Sequence, residues 1–419
     1  MRIGHESAFV ALPAPGAASA LRSLLPLYGV VFVGFLGYSL MITVFTPMFL
    51  QGHAMLPEGT SAAYRNIVLG GVLSLYPFGQ FIGSPIQGAL SDRFGRRPVL
   101  LASLGVTTLC YALVAFSLTA SSLRLLALGS AIAGLAEANV VIAQAAISDV
   151  VAPEERNRYF GYIYMSASLA YVVGPLGGGK LADPGLVGWF SDATPFWCIF
   201  VLLAATTASV FARFRETMRA GARAGAVRLL DNALSLGVVF TRPLLRRFFL
   251  TNFLIYLAIF GFFRAYPMYL VGEFGLRVSA MSEFIAWVGV PIVLVNLGLT
   301  GVLSRLVSLR TLTISSAAAT GLLVALVVVP STTTLLWPIL FLAAGALAVC
   351  LPSCATLLSQ EAGEREQGRV MGANQALQVA AEGLSGLASG LLAAMLVKLP
   401  LVALGGLAVA AALVAAVAL

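Results

Sequence analysis

Gly88-Ala-Leu-Ser-Asp-Arg-Phe-Gly-Arg-Arg97 packs four charges into ten residues of a 419-residue chain that is only 10% charged. Apolar runs flank it at 66–90 and 98–119, each matching the ~20 residues that a membrane-crossing helix needs. The ten residues therefore read as a polar hairpin between two spans. Working outward, runs at 24–50, 123–147, 159–181 and 193–212 complete a set of six. Those at 248–272, 278–303, 311–330, 335–358, 370–397 and 400–419 make a second six. The composition agrees: 59% of residues are apolar and the mean hydropathy is +0.95, whereas a soluble domain carries about 25% charged residues. A soluble enzyme is excluded because too few polar residues exist to cover it. Aperiodic glycine and four cysteines exclude collagen and a disulfide scaffold. Residues 1–23 lack a signal-peptide pattern.

The distribution of charge says more than its sum of +8. With the N-terminus cytoplasmic, nineteen basic residues fall on the inner side, including Arg93, Arg96, Arg97, Arg156 and Arg158. Five fall outside (Arg65, Arg124, Lys180, Arg277 and Lys398), and Arg264 lies within a span. This bias predicts both termini inside and an even number of helices. It also accounts for the positive charge without nucleic acid. The expected organisation is a cytoplasmic tail at 1–23, a six-helix bundle at 24–212, a basic cytoplasmic linker at 213–247 and a second six-helix bundle at 248–419. Within the linker, 228–240 is either an amphipathic stretch lying on the inner membrane surface or a solvated connector. The halves echo each other. Gly301-Val-Leu-Ser-Arg-Leu-Val-Ser-Leu-Arg310 matches the opening segment at Gly, Leu, Ser and the last Arg, at an offset of 213. At an offset of 211, Ser148, Glu155, Arg158 and Gly161 fall on Ser359, Glu366, Arg369 and Gly372. Such traces are expected of a duplicated six-helix unit.

Gly88, Asp92, Arg93, Gly95, Arg96 and Arg97 stand at the spacing of the G-x-x-x-D-R-x-G-R-R loop, and the chain resembles the major facilitator superfamily through it. Physically, Gly88 permits a close helix approach, Asp92 suits a helix N-terminus or an arginine, and the arginines suit carboxylates or lipid phosphates. The resemblance implies an all-α membrane fold of twelve transmembrane helices in two six-helix bundles related by pseudo-two-fold symmetry. It also implies that the loop is a gating latch between the halves. Asp149-Val-Val-Ala-Pro-Glu-Glu-Arg156 resembles the family's D-x-x-x-P-E-E-R connection. Gly174-Pro-Leu-Gly-Gly178, preceded by Ala170, is similar to the antiporter motif of tetracycline-efflux-like drug/proton antiporters. There Gly174, Pro175, Gly177 and Gly178 would thin and bend the fifth span for tight packing; an ordinary Gly/Pro kink is the alternative. Two departures stand out. Ser130 precedes Gly134 where an arginine is usual, and Gly34 precedes Gly37 where an acid is usual.

Three ionisable residues lie in mid-span: Glu137, Arg264 and Glu382. A charge at that depth costs ~2.5–3.5 kcal/mol on insertion scales and so faces a polar interior. The resemblance puts the first, fourth, seventh and tenth spans around a central cavity, so Glu137 and Arg264 are expected to face each other across it. Glu137 is then the leading proton carrier, Glu382 the second, and Arg264 the holder of an anionic or strongly polar substrate group. The alternative is a permanent Glu–Arg staple. Asn139, Tyr256, Phe260, Asn296 and Gln378 are candidate substrate contacts; Asn252, Asn374 and other amides in the spans serve equally as interhelical glue. Phe263 and Tyr266 extend the aromatic stripe, which is otherwise packing. Cys110, Cys198, Cys350 and Cys354 have no histidine or acid to complete a metal site, and His5 and His53 lie outside the spans. No metal or cofactor is expected.

The function expected is secondary active transport by alternating access, with proton-coupled efflux (antiport) preferred. The alternative is proton-coupled import of an anionic metabolite or siderophore-like compound. A membrane enzyme lacks clustered catalytic groups, a channel lacks a filter-like repeat, and no P-loop is present for ATP drive. The partners expected are a small molecule, protons and lipid, with no nucleic acid. The chain is expected to be a monomer in a bacterial inner membrane.

Overall fold

A computed structural model describes residues 17–52, 55–137, 139–152, 155–218, 243–362 and 367–418. Among them every expected apolar run is helical and no strand occurs. The first half comprises α1 (Ala17–Gln51), α2 (Ala62–Phe94), α3 (Arg96–Thr119), α4 (Leu123–Ala136), α5 (Asn139–Val150), α6 (Arg156–Leu181) and α7 (Thr194–Arg213). The second comprises α8 (Pro243–Phe274), α9 (Val278–Leu294), α10 (Thr300–Leu306), α11 (Leu309–Leu326), α12 (Thr333–Ala362), α13 (Gln367–Met395) and α14 (Leu399–Ala418). Since α4 with α5 and α9 with α10 each make one span, the fold has twelve. Eleven are long and apolar enough to cross a bilayer on those grounds alone. The other, α6, carries Arg156, Arg158 and Lys180 near its ends. The stretch 228–240 lies outside the described residues.

Two spans differ from simple apolar rods. The fourth, expected to run unbroken over 123–147, is interrupted at Glu137, whose backbone (φ −86°, ψ 102°) has left the helix. The freed carbonyls are satisfied laterally: Gln87 Nε2 donates to Ala136 O (2.9 Å) and Leu135 O (3.3 Å), and Ser103 Oγ donates to Ala136 O (2.5 Å). A broken helix at membrane depth is tolerated when neighbours supply these bonds. The eighth span passes through a π-turn at Val295–Leu299, where Gly298 has φ 151°, a conformation open to glycine.

One apolar core gathers side chains from Leu24 to Phe214 together with Met268, and another from Ile255 to Ala412. The halves meet where α2 packs on α13, α6 on α9 and α1 on α8. At the first seam Gly70 faces Gly386 and Gly390; a Cβ on Gly70 would lie 2.6 Å from Gly386 O. At the second, a Cβ on Gly179 would lie 2.2 Å from Ser282 Cβ. Both approaches lie toward the face remote from the 88–97 loop. There Lys180 Nζ reaches Glu283 Oε1 (2.6 Å) and Ser279 Oγ (2.8 Å), and Gln51 Nε2 donates to Leu276 O (3.2 Å). Arg65, an outer-loop charge by sequence, is buried and caps the end of α1 by donating to Phe49 O (3.1 Å) and Gly52 O.

Candidate functional site

Exposure along two facing helices defines where the interface opens. On α1, Leu25, Gly29, Phe32 and Phe35 are at least partly exposed, at helical spacing, and everything from 36 to 49 is buried. On α8, Phe253, Leu257, Phe260 and Phe263 repeat the pattern, and 264–271 are buried. The two stripes end together. They describe a cleft open toward the face of the 88–97 loop and closed at the level of Tyr38 and Arg264.

At that closed end Arg264, 1% exposed, donates through Nη2 to Glu382 Oε1 (3.4 Å) and to Tyr38 Oη, and through Nη1 to Phe260 O (3.2 Å). Tyr38 Oη in turn donates to Glu382 Oε1 at 2.7 Å. The carboxylate bonded to Arg264 is therefore Glu382, from the same half, and the pair formed here is not the Glu137–Arg264 staple that stood as the alternative in the sequence. The cause is geometric: α8 and α13 are packed neighbours, whereas the interruption after α4 leaves Glu137 bonded to Tyr76 of α2, whose Oη donates to Glu137 Oε2. The Tyr38 and Tyr76 rings stack at 4.6 Å and 20°. Glu137, Tyr76, Tyr38, Glu382 and Arg264 thus form one continuous buried chain that crosses the interface between the halves.

Glycines set this geometry. A Cβ on Gly134 would lie 2.0 Å from Tyr76 O, and one on Gly83 would lie 2.0 Å from Leu135 O, so α2 and α4 touch backbone to backbone. The Gly174–Gly178 segment holds α1 through side chains instead: a Cβ on Gly174 would lie 2.1 Å from Ser39 Oγ, beside Tyr38, and Gly178 faces the Leu40 side chain. Pro175 lies inside α6, and Gly177 has open space.

Of the other expected contacts, Phe260 and Gln378 are partly exposed. Gln378 stands one turn from Glu382 on α13. Tyr256 is buried and accepts from Asn374 Nδ2 (2.7 Å), while Asn252 Nδ2 donates to Asn374 Oδ1 (3.1 Å); this trio is interhelical glue. The side chains of Asn139 and Asn296 lie outside the described residues. Cys350 and Cys354 lie 3.8 Å apart, sulfur to sulfur, inside α12.

The 88–97 loop makes its contacts within its own half among the described residues. Arg96 meets Asp92 and, through Nε, Asp149 Oδ2 (3.1 Å); Arg97 Nη2 donates to Phe211 O (2.7 Å), and the Arg93 guanidinium lies over the Phe94 ring. A Cβ on Gly88 would meet only Val141 at 3.5 Å, so its expected tight helix contact is absent from this conformation. Gly95 carries the constraint instead, with φ 109° and a Cβ position 2.5 Å from Glu216 Oε2. Glu216, just past α7, accepts from the N–H groups of Arg96 (3.0 Å) and Arg97 (3.1 Å) at the start of α3. Burial would raise the Glu216 carboxyl, but N–H bonds from Met218, Arg96, Arg97 and Thr217 outweigh it and hold the group below its usual value of 4.5.

The sign follows from that depression. The Glu216 clasp contributes fully above pH 4.5 and is lost as pH falls through the lower folded-state value. Glu216→Ala is expected to remove about 1 kcal/mol of local capping. A spin label at Met218→Cys should become mobile in that variant at neutral pH, and with Glu216 present only on acidification below pH 4.5.

Sequence reasoning missed Tyr38, Tyr76, Gln87, Ser103 and Glu216. Only Glu216 had a local signal, an acid set between Arg215 and Arg219 just after the sixth span.

The family described as Major Facilitator Superfamily matches residues 27–386. The class C tetracycline resistance protein of Escherichia coli is 30% identical over 314 residues, covering 74% of this chain and 75% of that one. The class D protein of Salmonella ordonez is 28% identical over 344 residues, covering 81% and 82%. The crystal structure of the human organic anion transporter MFSD10 (TETRAN) shares the fold, with a TM-score of 0.70 over 94% of this chain and 99% of that one, at 19% identity.

Proposed function

The chain belongs to the Major Facilitator Superfamily, and from the buried junction at its centre we propose that this secondary transporter couples efflux of a small molecule to inward movement of protons. It works by alternating access and is not an enzyme. The observation that carries the proposal is the Arg264–Glu382 pair, sealed at the closed end of the cleft and held by Tyr38 from the other half. An ionisable pair at that depth is costly and marks a pathway.

The coupling follows from competition at one carboxylate. The substrate binds more tightly while Glu382 is ionised; a proton arriving from the opposite side neutralises Glu382 and so drives the substrate off, and release of that proton to the cytoplasm restores the site. Glu137, bonded to Tyr76, is the second carboxyl on the same chain of contacts. The charge bias along the sequence supports a cleft mouth and both termini at the cytoplasm of a bacterial inner membrane, with the protein acting as a monomer. The direction is supported by the Gly174–Gly178 segment and by the likeness to proteins named for tetracycline resistance.

Glu382→Gln tests this in proteoliposomes. Proton-driven efflux is expected to fall at least tenfold, while substrate counterflow, which needs no net proton movement, persists. Unchanged proton-driven flux would overturn the coupling role. Arg264 favours a second reading, import of an anionic metabolite; net accumulation from the cleft-remote side in oriented vesicles would establish it.

A further inference from the structure

A single hydroxyl ties the two halves together at the closed end of the cleft. Tyr38 stands on α1, whereas Arg264 and Glu382 stand on α8 and α13. The Tyr38 Oη group donates to Glu382 Oε1 (2.7 Å) and accepts from Arg264 Nη2. All three side chains are buried. Both bonds are charge-assisted, and such a bond is roughly twice as strong as one between neutral groups. The Tyr38 ring is seated in its own half, stacked on Tyr76 at 4.6 Å. Its neighbour Ser39 is pressed against Gly174, so the hydroxyl cannot follow the second half when that half moves. Outward of this level α1 and α8 are packed, with 36–49 and 264–271 buried. Farther out the halves are sealed between α6 and α9, where Ser282 is buried against Gly179. Opening toward that face parts α1 from α8 and breaks the Tyr38 bonds. The carboxylate nevertheless stays within reach of the cleft. Both donors to Glu382 use Oε1, Oε2 receives none among the described residues, and the side chain is 12% exposed.

Resting on the reading of Glu382 given above, we infer that Tyr38 is a positioning residue that bars the empty transporter from changing sides and so makes the exchange of substrate for proton obligatory. A carrier that crosses empty lets substrate run downhill with no proton in return, and tight exchange requires that this crossing be suppressed. With Glu382 ionised and unoccupied, the Tyr38 hydroxyl is held by a negative and a positive charge at once. A proton on Glu382 removes the negative charge, and with it the assistance to one of the two bonds. A substrate donor on the open Oε2 draws on the same charge. Either occupant weakens the tie, and the loaded transporter is released to open outward. The bond from Arg264 remains in both cases, so the tie is loosened and not abolished.

The test uses the empty transporter and needs no substrate. The full-length protein carrying Ser282→Cys is placed in nanodiscs of zwitterionic lipid and alkylated with N-ethylmaleimide, each thiol being read separately by mass spectrometry of its peptide. The rate at the introduced thiol reports how often the outer seam opens. Cys110, Cys350 and Cys354, buried inside the two halves, report general loosening in the same sample. Tyr38→Phe keeps the ring and loses both bonds, and it is expected to raise the seam rate at least about tenfold, the weight of one charge-assisted bond. Glu382→Gln, which stands in for the proton-loaded carboxyl, should raise it about threefold. Tyr269→Phe, which removes a buried α8 hydroxyl that has no hydrogen-bond partner, should leave it unchanged. An unchanged rate in Tyr38→Phe would overturn the inference. So would a rise shared by Cys110, Cys350 and Cys354, since the variant would then have loosened the whole fold. A rise at the seam in Tyr38→Phe with none in Glu382→Gln would keep Tyr38 as the tie but overturn its release by a proton, and with it the coupling reading.

Discussion

Arg264→Gln is expected to abolish proton-driven transport and to destabilise the protein by about 3–5 kcal/mol, the range for removing one partner of a buried pair. The guanidinium is 1% exposed and carries three hydrogen bonds, one of them to a carboxylate. Removing it strands Glu382 beside Tyr38, and protonation of the orphaned carboxyl offsets part of the loss. Arg264→Gln combined with Glu382→Gln leaves two neutral amides at a site with hydrogen-bonding neighbours, so most of the stability should return while transport does not. A double-mutant cycle on thermal unfolding reads the difference. Additive losses would mean that the two residues do not act as a pair.

Gly134→Ala is the second large effect. The added methyl group would lie 2.0 Å from Tyr76 O, a backbone atom that no rotamer change can move. The two helices must part by roughly an ångström, and overpacking of this kind costs about 1–3 kcal/mol. The displaced turn of α2 carries Tyr76, so the bond from Tyr76 to Glu137 is lost with it. Gly71→Ala is the control, since a Cβ at Gly71, on the facing helix α2, meets nothing within 4 Å. Unfolding temperature and transport should fall together in Gly134→Ala and hold in Gly71→Ala. Equal behaviour of the two variants would show that the α2–α4 contact is dispensable.

The twelve spans were legible because apolar length is a local property, written into each run of about twenty residues. Their interruptions were not. The sequence around Glu137 reads as helix, and it is Gln87 and Ser103, 50 and 34 residues away, that make the break tolerable by donating to the freed carbonyl of Ala136. Arg264, Glu137 and Glu382 were conspicuous as charges in apolar surroundings, yet which carboxylate meets the arginine depends on helix neighbourhood, a tertiary property. Tyr38 and Tyr76 carried no mark at all, since a tyrosine in a span is as common in packing as in a polar chain. The 88–97 loop was recognisable by its spacing, while its clasp by Glu216 joins residues some 120 positions apart.

The interruption at Glu137 has a mechanical consequence. Because α4 and α5 do not share a continuous hydrogen-bond ladder, α5 is a separate rigid arm, packed on α1, α2, α3 and α6, that can tilt about the break while α4 stays clamped to α2. Its near end adjoins Glu137 and its far end carries Asp149, about 15 Å away at 1.5 Å per residue. A tilt of about 10° at the near end sweeps the far end through roughly 3 Å. That is comparable to the 3.1 Å bond by which Asp149 holds Arg96. A small rearrangement around one carboxyl group deep in the bilayer would thereby loosen, by leverage alone, one of the bonds that hold Arg96 at the membrane surface, leaving those to Asp92 and Ser91.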